Sequence, residues 1–230
     1  MVDNIIIIPY RDRKKHLDYY IKNTVPLLQK HLPNSKLVII EQNHDKLFNR
    51  GKLLNCGFNE YKDRTNYFIT QDVDLNPSEE CIKKYYMSDV AENKVKGILT
   101  SPCNTLGGVI KISSNNIHKC NGFPNNIWGW GTEDKALQNR TEFYSIKKET
   151  NLITSDILGP NKYFKRFDDV NDRNLINTSK NHSLHYIQFN KLSREMKLNE
   201  ILSSGLNSLN YKVIDKIKIS DYIEHIKVEI

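Results

Sequence analysis

Two tryptophans, two glycines and two acids meet in one short run, WGWGTED, which extends from Trp128 to Asp134. Aromatic faces stack on the apolar C–H face of a sugar ring, while carboxylates accept hydrogen bonds from its hydroxyl groups. Glycines allow the backbone to approach a ligand closely. The residue types are therefore those of a sugar site. A tight turn with a buried tryptophan and an acidic helix start explains the same run equally well.

A second acidic cluster, Asp72 and Asp74, ends a short apolar run that begins at Tyr67. Because side chains alternate along a strand, both carboxylates are expected on one face at the strand's carboxyl end, where open α/β sheets bind ligands. Converging carboxylates repel unless a cation or donor groups lie between them, and hard oxygen ligands suit Mg²⁺ or Mn²⁺ bridging a diphosphate. The alternative is a strand end with turn-forming aspartates, since Asn76 and Pro77 follow.

These clusters belong to a series of ordered blocks. The blocks are IIIIPYRDR from Ile5 to Arg13, FNRGKLLNCGF from Phe48 to Phe58, DVDL from Asp72 to Leu75, GGV from Gly107 to Val109, NGFPN from Asn121 to Asn125, the WGWGTED run, and GLNSL from Gly205 to Leu209. In this order they closely resemble the β-1,4-galactosyltransferase family of inverting, nucleotide-sugar-dependent glycosyltransferases. The resemblance implies a GT-A fold, a UDP-sugar donor, a sugar or glycoconjugate acceptor, and Mn²⁺ or Mg²⁺ as cofactor.

The resemblance also implies which residues contact the donor. They are Pro9, Tyr10, Arg11, Arg13, Phe48, Arg50, Asp72, Val73, Thr105 and Trp130. A guanidinium group can hold diphosphate or uracil oxygens with paired donors. Positive charge at a helix start is unfavourable, so Arg11 and Arg13 are better explained by a bound anion than by solvation alone. Ordinary core packing is the competing explanation for Phe48.

The acceptor and the catalytic base follow from the same resemblance. Acceptor contacts are expected from Trp128, Gly131, Thr132, Glu133 and Asp134. Asp134 matches the general base, which takes the proton of the acceptor hydroxyl as that oxygen bonds to the anomeric carbon. The metal and the arginines stabilise the departing UDP, and a single displacement inverts the anomeric centre.

The resemblance makes Asp74 a metal ligand and places further ligands well after the tryptophan run. The candidates there are His182 and His185. Two histidines in a polar segment are a better ligand signal than one, because imidazole suits Mn²⁺ more than Mg²⁺. Either histidine, or both, could bind.

Two positions depart from the family pattern. Lys135 stands where galactosyltransferases usually carry a further acid, which puts N-acetylglucosamine as acceptor in doubt and favours an acidic or phosphorylated acceptor. Thr105 stands where galactose-selective members place a tyrosine that crowds the donor's C2 substituent. The smaller side chain leaves room for an acetamido group, so UDP-GalNAc is a candidate donor beside UDP-Gal.

The elements that position these residues alternate between strand and helix. Strands are predicted at 4–9, 35–41, 67–74, 95–99 and 109–112. Helices are predicted at 12–31, interrupted or bent near Pro26, from Arg50 onward, at 78–90 and at 113–120. The alternation predicts an α/β fold with a central, mostly parallel sheet, here a single Rossmann-like GT-A domain over 1–230. Its donor-binding half would span about 1–110 and its acceptor and metal-closing half about 111–230. Residues 150–195 are polar and weakly periodic, which indicates long C-terminal loops.

Composition excludes several classes of protein. The net charge of +7 is spread along the chain without aromatic clustering, so we expect no nucleic-acid partner. Cys56, Cys81, Cys103 and Cys120 have no close pair, which argues against a zinc or redox motif. No apolar run is long enough for a membrane segment and no signal peptide is visible, whereas eukaryotic relatives are typically anchored Golgi proteins. The expectation is a soluble, cytoplasmic protein of a bacterial cell or a virus-infected host.

A non-catalytic carbohydrate-binding protein on a glycosyltransferase scaffold is the rival hypothesis. Such a protein would keep Trp128 and Trp130 but would not need Asp72, Asp74, Asp134 and the two histidines together. Their joint presence favours an enzyme.

Overall fold

A computed structural model describes residues 1–44, 46–100, 105–129, 131–149, 153–154, 163–167 and 189–230. The strands are β1 Val2–Tyr10, β2 Ser35–Gln42, β3 Thr65–Thr70, β4 Leu75–Pro77, β5 Lys94–Thr100, β6 Val109–Ser113, β7 Lys147–Lys148, β8 Ile153–Thr154, β9 Phe164–Arg166, β10 Lys212–Lys218 and β11 Ile223–Glu229. The helices are α1 Lys14–Asn23, α2 Val25–His31, α3 Arg50–Glu60, α4 Glu79–Cys81 with a π-helical continuation over Ile82–Tyr86, α5 Ser114–Lys119, α6 Glu133–Phe143 and α7 Arg194–Ser203. A 3₁₀ turn covers Leu206–Ser208.

The main sheet has the strand order β10-β11-β2-β1-β3-β6-β5-β7, with β8 also paired to β5. The central pairs β11–β2, β2–β1 and β1–β3 are parallel, whereas β3–β6, β6–β5 and β10–β11 are antiparallel. A separate two-stranded sheet joins β4 to β9. The predicted α/β class and mostly parallel sheet are therefore confirmed. Because β1, β2 and β3 run in the same direction, the loops that follow them meet at one edge of the sheet.

Hydrophobic core covers both faces of β1, because this strand is apolar at every central position. Ile6 and Ile8 pack in one cluster, and Ile5 and Ile7 pack in the other. All four side chains are fully buried. A continuous apolar run of this kind is typical of a central parallel strand with helices on both sides.

Several predicted boundaries differ from the observed ones. The interruption predicted near Pro26 is observed, because Thr24 ends α1 and Pro26 lies in the first turn of α2, where its missing N–H removes no bond, but α1 begins at Lys14 rather than at Asp12. β3 ends at Thr70, so the Asp-Val-Asp segment is a turn rather than the end of the strand. The helix predicted over 78–90 is short and mostly π-helical.

Short regular elements occur among the described residues of the segment predicted as long loops. Strands β8 and β9 lie within the segment predicted as loop, and helix α7 begins at Arg194. The β10–β11 hairpin then completes the sheet beside β2. No described helix is long and apolar enough to cross a membrane.

Replacement of Gly57 tests the packing of α3 on β1. A Cβ at Gly57 would lie 2.8 Å from both Cδ1 and Cγ2 of Ile7. We expect Gly57→Ala to lower the free energy of unfolding by about 1–3 kcal/mol, although alanine is the better helix former. Chemical denaturation measures this. Gln29→Ala, at an exposed position of α2, is the control and should change stability by less than about 0.5 kcal/mol. Equal effects would contradict the packing argument.

Candidate functional site

Arg50 occupies the first turn of α3 at the carboxyl edge of the sheet. Asn49 caps this helix, since its side-chain oxygen accepts from the backbone N–H of Lys52 at 2.9 Å. Gln42, at the end of β2, fixes the preceding loop: its side chain accepts from the Asn49 N–H at 2.9 Å and donates to the Leu47 carbonyl at 3.1 Å. The buried side chains of Gln42 and Asn49 therefore fix the backbone position of Arg50.

The Arg50 guanidinium joins acids from separate parts of the chain. Its Nε donates to Asp72 Oδ1 at 2.8 Å, and its NH1 donates to Asp134 Oδ1 at 3.3 Å. The same NH1 lies 3.8 Å from Glu133 Oε1. The structure therefore brings the Asp-Val-Asp turn and the end of the WGWGTED run to a single cation.

Burial dominates the electrostatics of this cluster. Burial first, and the Glu133 carboxylate second, raise the pKa of Asp134 to about 7 against the opposing effect of Arg50. Burial also raises the pKa of Glu133 and of Asp72, again opposed by Arg50. Oε2 of Glu133 is buried without a hydrogen-bond partner among the described residues. A buried carboxylate with a pKa near neutrality suits proton transfer.

Two consecutive glycines lie beside the acidic cluster, and the first leaves room for Asp134. A Cβ at Gly107 would lie 1.9 Å from Asp134 Oδ2, so only glycine fits beside this carboxylate. Gly108 has φ +72, and its carbonyl accepts from Arg50 NH2 at 3.2 Å. The predicted Gly-Gly block thus forms one wall of the acidic cluster. Thr105, two residues earlier, is buried.

The segment before α6 is strongly bent. Thr132, which precedes the helix, is left-handed with φ 73, and Gly131 has φ +96. The Gly129 N–H donates to the Phe48 carbonyl at 2.8 Å, which ties this segment to the loop before α3. The acidic helix start was one of the two interpretations of this run, and Glu133 and Asp134 do lie in the first turn of α6.

Trp128 lies beside the loop that follows β2. Its ring centroid is 5.7 Å from that of His44, and Lys46 Nζ is 5.8 Å from its ring centre. Arg11 is close by, with its guanidinium 5.5 Å from the Phe48 ring centre and donating to the Lys46 carbonyl. Pro9 and Tyr10 are buried at the end of β1, and Val73 is buried within the Asp-Val-Asp turn.

Asp74 is held by two guanidinium groups. Its Oδ2 lies 3.2 Å from Arg166 NH2 and 3.6 Å from Arg13 NH1. Arg166 belongs to β9, which pairs with β4 directly after Asp74, and the Phe167 N–H donates to the Asp74 carbonyl at 2.9 Å. Sequence reasoning did not single out Arg166. Only the pairing of two three-residue strands brings it to the site, and no sequence pattern marks that pairing.

Asp74 has the right chemistry for a divalent metal ligand, because it offers a largely buried carboxylate at the carboxyl edge of the sheet. No group of three His, Cys, Asp or Glu side chains within the described residues could hold a metal. Trp130, His182 and His185 lie outside the described residues.

Solved structures share this fold. The catalytic domain of Drosophila beta1,4galactosyltransferase 7, in complex with xylobiose, aligns with a TM-score of 0.76 at 19% identity and covers 100% of this chain and 94% of that one. A mutant of the same protein, in complex with manganese, UDP-Gal and xylobiose, gives a TM-score of 0.76 at 20% identity with the same coverage. These similarities support the predicted GT-A architecture.

Sequence comparisons give the family. Human Beta-1,4-galactosyltransferase 1 is 33% identical over 217 residues, which cover 91% of this chain and 50% of the relative. Beta-1,4-galactosyltransferase 4 of Cricetulus griseus is 33% identical over 216 residues, covering 91% of this chain and 58% of the relative. The chain thus spans between half and three-fifths of the length of these relatives.

Two family models match consecutive parts of the chain. The N-terminal region of glycosyl transferase group 7 matches residues 2–88, and the N-terminal domain of galactosyltransferase matches residues 93–162. The first match contains Arg50 and the Asp-Val-Asp turn, and the second contains Asp134, so the acidic cluster is shared between them. On these matches and the relatives above, the chain belongs to the β-1,4-galactosyltransferase family.

Proposed function

We propose that this chain is an inverting glycosyltransferase that moves galactose or N-acetylgalactosamine from a UDP-sugar to an acceptor hydroxyl. The observation that carries the proposal is the junction of Asp72 and Asp134 through Arg50, at the edge of the sheet where the loops after β1, β2 and β3 meet. Asp72, which we assign to the donor, and Asp134, which we assign to the acceptor, would thereby lie close to the same transferred sugar. The relatives, which are galactosyltransferases by name, give no support to the rival non-catalytic hypothesis.

Asp134 is the general base of this proposal. Its carboxylate is buried beside Gly107, where no side chain competes for the space next to Oδ2. A pKa of about 7 matches the task of accepting a proton near neutral pH. The oxygen that loses this proton attacks the anomeric carbon, and UDP leaves from the opposite face. Configuration is therefore inverted in one step.

The donor pyrophosphate would lie against the cationic loop after β1. Arg11 and Arg13 offer guanidinium groups there, and Asp72 and Val73 form the facing turn. Asp74 would hold Mn²⁺ together with His182, His185 or both, and a bound metal would supply positive charge to the departing diphosphate. Trp128 and Glu133 would contact the acceptor sugar, beside Thr132 and Gly131.

A screen of UDP-sugars tests the proposed function as a whole. We expect Mn²⁺-dependent hydrolysis of UDP-Gal or UDP-GalNAc, with thermal stabilisation by UDP in the presence of the metal. Transfer would then be assayed with neutral and acidic sugar acceptors, because Lys135 favours the acidic class. If no UDP-sugar is hydrolysed or stabilises the fold, the proposed donor class is wrong.

Substitution of Asp134 by asparagine tests the general base. Asp134→Asn keeps the shape but cannot accept the proton, so turnover should fall by roughly 10²–10⁴-fold with donor affinity little changed. The native rate should fall as the pH drops below about 7, because Asp134 must be ionised, and the variant should lose that dependence. Steady-state kinetics across pH measure both effects. Glu142→Gln, on the exposed side of α6, is the control. Equal losses of donor affinity and rate would assign Asp134 a structural role.

Substitution of Asp74 by asparagine tests the metal site. Asp74→Asn should abolish Mn²⁺-dependent UDP binding in calorimetry while the protein remains folded. The exposed Asp63→Asn variant should bind UDP as the native protein does. His182→Ala and His185→Ala identify which imidazole contributes. Unchanged UDP affinity of Asp74→Asn at saturating Mn²⁺ would overturn the assignment.

Enlargement of Thr105 tests the choice of donor. We expect the native enzyme to use UDP-GalNAc at least as well as UDP-Gal. Thr105→Tyr should suppress the acetamido donor selectively, because overpacking typically costs about 1–3 kcal/mol, equivalent to about five- to 150-fold in preference. Competition assays with both donors measure the ratio, and Thr105→Ser serves as the size control. A native enzyme that rejects UDP-GalNAc would show that another side chain closes this pocket.

A further inference from the structure

Three unusual buried groups lie behind the Asp-Val-Asp turn, and the proposed chemistry uses none of them. They are the side-chain amide of Gln71, the hydroxyl of Tyr86 and the amine of Lys111, all of them 1% exposed or less. Tyr86 ends the π-helical turn, in which the Met87 N–H bonds to the Ile82 carbonyl. Short π-helical segments are uncommon and often occur at functional sites.

Gln71 holds the turn from the inside. Its Nε2 donates to the Asp72 carbonyl at 2.9 Å and to the Leu75 carbonyl at 2.7 Å, so one amide binds both ends of the segment that carries the two aspartates. The turn closes on itself through the Leu75 N–H, which donates to the Asp72 carbonyl at 3.1 Å. The Gln71 backbone N–H is anchored on the Ile7 carbonyl of β1 at 2.9 Å.

Tyr86 and Lys111 fix the position of Gln71. The Tyr86 hydroxyl donates to Gln71 Oε1, which leaves the amide N–H groups directed at the turn. Lys111 Nζ donates to the Tyr86 carbonyl at 2.7 Å, from the middle of β6. Lys111 thus fixes the backbone of Tyr86, and the Tyr86 hydroxyl fixes Gln71, so buried side chains connect β6 to the turn.

We infer that the Tyr86–Gln71 hydrogen bond, supported by Lys111, is a positioning device that sets the conformation of the Asp72–Leu75 turn and thereby its affinity for the donor. The donor part of this inference rests on the proposed function. The hydroxyl acts only through Gln71, so Tyr86 is a positioning residue and not a catalytic one.

The protein contains a matched control for this hydroxyl. Tyr20 is as fully buried as Tyr86 and belongs to the same hydrophobic cluster. Its hydroxyl has no hydrogen-bond partner among the described residues. Tyr86→Phe and Tyr20→Phe therefore remove the same atom from the same core, and only the first removal breaks a connection to the turn.

Two measurements on the full chain test the inference. In hydrogen exchange of the ligand-free protein, Tyr86→Phe should speed exchange of the peptide over 70–77 by about three- to tenfold, and Tyr20→Phe should leave it unchanged. In calorimetry with Mn²⁺, Tyr86→Phe should weaken UDP binding by a similar factor, and Tyr20→Phe should not. Gln71→Glu provides a second variant, since a carboxylate still accepts from Tyr86 but has no N–H for the two carbonyls.

The outcomes are distinguishable. The inference would be overturned if both Tyr86→Phe and Gln71→Glu kept the exchange rate and the UDP affinity of the native protein. It would also be overturned if Tyr86→Phe and Tyr20→Phe changed the exchange rate and the UDP affinity equally. If Tyr86→Phe does not fold, Gln71→Glu alone decides between these results. If the native protein does not bind UDP, the proposed function fails, and the exchange rates still decide whether the hydroxyl sets the turn.

Discussion

The guanidinium of Arg50 is the interaction on which the geometry of the site depends. Without it, Asp72, Glu133 and Asp134 would place three carboxylates in a buried space where mutual repulsion and desolvation both oppose ionisation. Arg50 compensates only part of that cost, since burial still raises the pKa of each acid. The cluster is therefore a poor source of stability and a suitable environment for a proton acceptor.

Buried amides of Asn and Gln shape the loops around this cluster. Gln42 holds the loop before Arg50, and Gln71 holds the Asp-Val-Asp turn. Asn55 does the same for the segment that leads to Trp128, because its Nδ2 donates to the Phe123 carbonyl and its Oδ1 accepts from the Phe123 N–H. An amide offers a donor and an acceptor at once, so one side chain can satisfy both backbone groups of a loop that leaves the sheet. Apolar packing alone could not fix these loops, since it leaves their carbonyls unpaired.

Local patterns in the sequence were enough to predict much of the fold and of the site. The isoleucines of β1 and the spacing of α3 depend on near neighbours in the chain, and the structure confirms these two elements. It also brings the acids of both motifs to Arg50. Arg166 and the β10–β11 hairpin could not be predicted in this way. Arg166 reaches Asp74 across 92 residues through two short strands, and β10 is exposed along its whole length, so it lacks the alternation that reveals a half-buried strand. The roles of all the predicted site residues, among them Trp130, His182 and His185, remain predictions.

The position of β11 has a consequence for how the chain folds. Leu37 of β2 pairs with Ile223 of β11, which is 186 residues later in the sequence. During synthesis β2 can pair with β1 early, but its other edge stays unpaired until β11 has been synthesised. Such non-local pairing makes closure of the sheet slow, and an open apolar edge is a site for association between nascent chains. β2 thus gains its second partner from a strand that is synthesised after Arg50, Asp72 and Asp134, so the sheet edge beside the site closes late in folding.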